Sequence, residues 1–117
     1  MPIREVPNRL TVEGSYTGMI ESPADKVYTI DPSVEQPITI TSFFAKTTSG
    51  TCAALVTQTD GNVAVLSVSS SSGEYASAIA NPVLAAGDFV KLTVSSTSSA
   101  VDLVFRIGYE YEVNADE

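Results

Sequence analysis

The stretch VDLVFRIGYEYEV, Val101 to Val113, decides the fold. Val101, Leu103, Phe105, Ile107, Tyr109, Tyr111 and Val113 alternate with a second set that holds Asp102, Arg106, Glu110 and Glu112. Side chains of an extended chain point to opposite faces in turn, so this pattern predicts a long strand with one buried and one wet face. Working back from it, Val90, Leu92 and Val94 alternate with Lys91, Thr93 and Ser95 in the same way. The polar run Ser95–Ser99 reads as a turn between the two strands.

Further upstream the same period of two recurs. Ile38 and Ile40 alternate with Thr39 and Thr41 before the pattern blurs at Phe43-Phe44. Cys52, Ala54 and Val56 give a face of small residues, which suits a place where two sheets approach closely. Asp60-Gly61 is a tight-turn signal, predicting a hairpin between Leu55–Thr59 and Asn62–Leu66. Shorter strands are expected from Val27 to Ile30 and from Glu74 to Ala80, with a single helical turn as an option at Pro82–Ala86. Thr48-Ser49-Gly50, Ser70–Gly73, Asn81-Pro82 and Ala86-Gly87-Asp88 supply the remaining turns. Turn signals thus recur about every 8–12 residues, as in a sandwich or barrel. The expected class is an all-β, antiparallel β-sandwich.

The first 25 residues differ in texture. They hold Pro2, Pro7 and Pro23, two glycines, and two of the three arginines. This segment, 1–25, is expected to be either a disordered leader or an extended N-terminal arm that becomes ordered on a partner, followed by a sandwich domain over 26–113 and an acidic tail at 114–117. Within the arm, Ile3, Val6 and Leu10 are candidate apolar anchors, and Arg4 and Arg9 candidates for salt bridges to an acidic surface.

Composition narrows the function. At 117 residues the chain has the size of one domain, and 44% apolar residues are enough for a core. Its apolar runs fall far short of the ~20 residues of a spanning helix, and residues 1–7 lack the pattern of a secretory signal. Fourteen acids against six scattered bases give a net charge of −8, which argues against nucleic-acid partners and anionic membranes. With no histidine and one cysteine, a cysteine–histidine zinc site and a histidine-activated nucleophile are both excluded. Cys52 sits in a strand-like run and reads as a small core residue. Glycine-rich phosphate loops and a Ser-x-x-Lys spacing are absent.

Two carboxylate arrangements bear on the chemistry. Glu110 and Glu112 share a face, yet a charged face that keeps a strand from aggregating accounts for them. A calcium ion held between loops by Asp31, Asp88 or Asp102 remains an option, although the repeated ligands of a calcium-binding loop are missing. Tyr109 and Tyr111 continue the buried face and read as core or interface residues. The chain is expected to carry no catalytic residue, cofactor or metal.

The segments ITITSFFAKTTSGTCAALV (Ile38–Val56), VLSVSSSSGEYASAIA (Val65–Ala80) and NPVLAAGDFVKLTVSSTSSAVDLVFRIGYEY (Asn81–Tyr111) together resemble small β-sandwich domains of tailed-bacteriophage virion proteins. That group includes capsid cement proteins and tail-fibre-type proteins, and the resemblance spans about residues 27–112. It implies a jelly-roll-like fold and a capsid decoration role on the outer surface of the major capsid protein shell. It also implies a virion assembled in the host cytoplasm. Edge burial then favours a homotrimer, or failing that a dimer. A tail-fibre or receptor-binding module for a host glycan is the alternative, followed by a small hydrolase or calcium-dependent carbohydrate-binding module.

Overall fold

A computed structural model describes residues 9–69, 74–76 and 78–114, and over these the only regular elements are strands. They are β1 (Arg9–Ile20), β2 (Lys26–Asp31), β3 (Ile38–Lys46), β4 (Ser49–Gln58), β5 (Gly61–Val68), β6 (Glu74–Tyr75), β7 (Val83–Leu84), β8 (Val90–Val101) and β9 (Leu103–Asn114). The expected sandwich forms from two antiparallel sheets. One has the order β1-β9-β3-β6, with β7 also on β3, and the other the order β2-β8-β4-β5.

This order follows from one long ladder folded over on itself. β4 pairs with β5 across the Thr59-Asp60 turn, β3 with β6 and β7, β2 with β8, and β1 with β9. The ladder then curls so that β9 also meets β3 and β8 also meets β4. Alternating crossings between two sheets in this order are the jelly-roll arrangement. Between the sheets lie Leu103 and Ile107 of β9, Val90 and Leu92 of β8, Phe43 of β3 and Val56 of β4, all 0% exposed. Cys52 and Ala54 line the same interior, as the small-residue face predicted.

The blur at Phe43-Phe44 has a physical cause. The ladder with β9 shifts between Ile40 and Ser42, so β3 buries Ile38 and Ile40 before the shift and Phe43 and Ala45 after it. Such a bulge inserts one residue and flips the phase of the alternation. Its partner is Gly108, where a Cβ would collide with Ser42 Oγ. Glycine is what lets the bulge close against β9.

The turn expected at Ser95–Ser99 is not there. β8 runs through it, because Ser96 and Ser99 take positive φ (53° each) while the ladder with β4 shifts twice opposite them. The reversal falls at Asp102 (φ 53°), where the chain leaves one sheet for the other. Val101 therefore ends β8, 42% exposed, rather than opening the buried face of β9. Likewise, among the described residues of the expected 74–80 strand, Glu74-Tyr75 alone pairs as one, and Val83-Leu84 is a strand rather than a helical turn.

The largest departure is at the N-terminus. Residues 9–20, expected as part of an arm, pair one for one with β9 without a register shift. The inward positions of β1 are Leu10, Val12, Gly14, Tyr16, Gly18 and Ile20, so two glycines interrupt the apolar pattern. Those glycines seat rings: a Cβ on Gly14 would lie 2.8 Å from the Tyr109 ring, and one on Gly18 2.9 Å from Phe105. Removing residues through 22 would strip a strand from the sheet.

One buried polar side chain ties the hairpin tip to the rest. Gln58 donates from Nε2 to Asn81 O and Val83 O at 2.9 and 3.1 Å, and accepts from Asp60 N at 2.9 Å. Every hydrogen-bonding atom that matters is paired, so burial costs little.

The ring seats give a first prediction. Gly18→Val should lower unfolding free energy by about 1–3 kcal/mol, since the buried Phe105 ring has nowhere to go. Gly14→Val should cost less, because Tyr109 is only partly buried and can swing outward. Urea unfolding of both variants checks this, and equal losses would contradict it.

Candidate docking surface

Extended strands put every second residue on the outer face, and cross-strand register lines these up in rows. On the β1-β9-β3-β6 sheet one such row is Thr17, Arg106, Phe44 and Tyr75. The Phe44 and Tyr75 rings lie 4.7 Å apart at a 49° tilt. The Arg106 guanidinium sits 5.6 Å from the Phe44 ring centre, and its Nη2 reaches Tyr75 Oη at 3.5 Å. Tyr75 is 64% exposed nonetheless. The adjoining row brings Met19 (53% exposed) beside Val104 (41% exposed) and Lys46. Tyrosine, arginine, phenylalanine and methionine are the residues enriched where protein surfaces meet.

Charge divides this face lengthwise. Arg106 and Lys46 lie at the aromatic end, whereas Glu13, Glu110 and Glu112 lie at the other, with Glu13 directly opposite Glu110 in the ladder. The two cations of this face thus lie beside its aromatic rings, with Glu21 and Asp102 at the turn just beyond them.

The inner face of the acidic end carries a second cluster. Tyr16 and Tyr109 rings are 4.9 Å apart, and Tyr109 and Tyr111 6.2 Å. All three are partly buried against the core, as expected for Tyr109 and Tyr111. Beside them are two shallow open grooves. One of 420 Å³ lies along Pro37–Thr39 and residues 110–113, and one of 220 Å³ between Tyr16, Asp31 and residues 33–36. Tyr16 Oη donates to Asp31 Oδ2 at 2.7 Å, joining β1 to β2. Burial first, then that hydrogen bond and the negative charge of Asp31, push the Tyr16 phenol far above its ordinary value.

The sequence-named residues are distributed as follows. Ile3, Arg4 and Val6 lie outside the described residues. Arg9 opens β1 opposite Asn114, and Leu10 stands opposite Val113, 56% exposed. Asp31 accepts from Tyr16 and from Ser33 N, Asp88 from Ala85 N, and Asp102 from Thr48 Oγ1. Each is engaged in its own turn or strand contact, and among the described residues no three acidic or cysteine side chains gather as metal ligands. Cys52 is 5% exposed, and burial raises its thiol pKa, which suits a packing role. The Arg106–Phe44–Tyr75 cluster was missed because its members come from three strands and meet only through the register.

No protein-family model matches the chain, and no curated protein does. Solved structures share its fold. A chain in the acid-stable capsid structure of Helicobacter pylori bacteriophage KHP30 superposes with a TM-score of 0.56 at 12% identity, covering 91% of this chain and 98% of that one. A protein of the Bacillus endospore appendages, a family of disulfide-linked pili, superposes with a TM-score of 0.56 at 14% identity, covering 97% and 100%. Identities this low establish a common fold. The coverages show that both neighbours are themselves single domains of this size.

The Tyr16–Asp31 bond makes an alkaline prediction. A phenol whose folded pKa is raised holds its proton more tightly than in the unfolded chain. Its contribution is whole below a pH of about 10, the ordinary tyrosine value, and is lost as pH rises above it. Urea unfolding from about pH 9 to about pH 11.5 should show a fall in stability that Tyr16→Phe reduces. Parallel profiles for the two proteins would contradict it.

Proposed function

We propose that the chain is a non-enzymatic structural protein of a tailed-phage virion, acting as a cement protein on the outer surface of the capsid shell. The observation that carries this is the Arg106–Phe44–Tyr75 cluster, open at Arg106 and Tyr75, with Met19 and Val104 beside it on the outer face of one sheet. Flat aromatic patches with a cation suit wide protein surfaces better than small substrates. The cationic end fits an acidic, partly apolar patch on the shell. A similarly sized jelly roll within a phage capsid structure supports the setting. Disulfide linkage of the kind named for the spore pili is unsuited to this chain, whose single cysteine faces the core. Tyr16, Tyr28, Tyr109 and Tyr111 are packed against the core, which leaves Tyr75 as the one tyrosine with an open ring and favours cement over glycan stacking on a tyrosine platform.

Docking would resist shell expansion by tying neighbouring capsid subunits together, its free energy drawn from aromatic burial and charge pairing. Purified chain added to shells of its own phage that lack it should bind saturably and raise their melting temperature. Tyr75→Ala and Arg106→Ala should each weaken binding about tenfold or more, as loss of an interface anchor does. The variants' own melting should change little, since both side chains are exposed. Wild-type binding by both variants, or binding of the chain to host glycans and not to shells, would contradict the proposal.

A further inference from the structure

We infer that two copies of this chain join edge to edge through β1, making one continuous sheet across a two-fold axis. The inference is independent of where the protein docks.

A sheet edge exposes a row of backbone donors and acceptors, and proteins guard such edges by shortness, bulges, charge, proline or a covering segment. Three of the four sandwich edges are guarded. β6 and β7 are two residues each. The edge of β5 is met by the segment that follows β6, with Ala80 N donating to Val63 O at 2.8 Å. β2 has six residues, a ladder irregularity between Thr29 and Asp31, a charge at each end, and Pro32 directly after it. β1 is neither short nor bulged, contains no proline, and is covered by no segment among the described residues. It is twelve residues long, pairs on one side only, and shows no register shift. Its charges are Arg9 at the very start and Glu13, which leaves the seven residues Gly14–Ile20 uncharged.

The strand is also complementary to itself. In an antiparallel two-fold pair the two partner numbers have a constant sum. Inward residues, which are the even ones here, must meet inward residues for the two faces to continue. The axis therefore passes through a residue. Centred on Ser15 it uses the whole run, setting Leu10 against Ile20, Val12 against Gly18, and Tyr16 against Gly14. Glu13 then faces Thr17 rather than another glutamate, as it would with the axis at position 13. The exposed apolar area of Leu10, 56% open in the single chain, is covered by the partner's Ile20. The occupant is thus a second copy, and the assembly is a dimer in place of the trimer expected from general edge burial. Two chains of charge −8 repel, so the dimer should tighten as salt screens that repulsion.

Ser15 offers a clean disruption. It is exposed and stands opposite Gly108, so a longer side chain meets nothing across β9. At the axis, however, it faces its own copy. Sedimentation velocity of the full chain at physiological salt should show a concentration-dependent dimer. Ser15→Lys and Ser15→Glu should each raise the dissociation constant about fivefold or more, because like charges then stand directly opposite. Circular dichroism checks that both variants remain folded. Amide exchange on the wild type gives a second readout: alternate β1 amides should be protected at concentrations where the dimer forms and exchange faster on dilution. A chain that stays monomeric, as when residues 1–8 or nothing at all occupies the edge, overturns the inference. So does a trimer, or a dimer indifferent to both substitutions whose β1 amides exchange freely.

Discussion

Everything in this fold depends on β9 being held from both sides in one register. β1 pairs along its whole length and β3 along seven positions, and a slip of one residue on either side would turn Leu103, Phe105 and Ile107 out of the core. Two local devices fix the position. On the β3 side, the bulge at Ser42 sits over Gly108, so that pair marks the register. On the β1 side, Phe105 and Tyr109 drop into the spaces left by Gly18 and Gly14. Aromatic rings over cross-strand glycines pin a strand pair much as a bulge does.

With β9 fixed, the outer surface follows. Arg106 projects from the strand whose opposite face carries Phe105 and Ile107, and the β3 bulge restores the phase that puts Phe44 outward beside it. Without that bulge Phe44 would point into the core and Phe43 out of it. The aromatic–cation patch is therefore a consequence of how the core is packed. The same logic separates the charges, since Glu110 and Glu112 lie on that outer face at the far end of β9.

Much of this was legible in the sequence where one strand reports on itself. The alternation of β9, the start of β8, the Asp60-Gly61 hairpin and the small inner face of β4 all lie in local pattern. Three things did not. β1 was hidden because its inward glycines contribute space for a neighbour's ring, which only the neighbour reveals. The middle of β8 was hidden because serines at positive φ look like a turn, while here they let a strand continue past two irregularities. The Arg106 cluster was hidden because long-range register is set by the folding over of the whole ladder. Among the arm residues proposed for docking, Leu10 is an exposed strand residue, whereas Ile3, Arg4 and Val6 fall outside the described part of the chain.

The proposed function places binding on the faces and edges of a small scaffold rather than in a pocket. Cryo-electron microscopy of the mature virion tests its central claim most directly. The account predicts density for this jelly roll on the outside of the shell, with the face bearing Arg106, Phe44 and Tyr75 turned toward capsid subunits. Density confined to the tail, or a jelly roll on the shell with that face open to solvent, would contradict it.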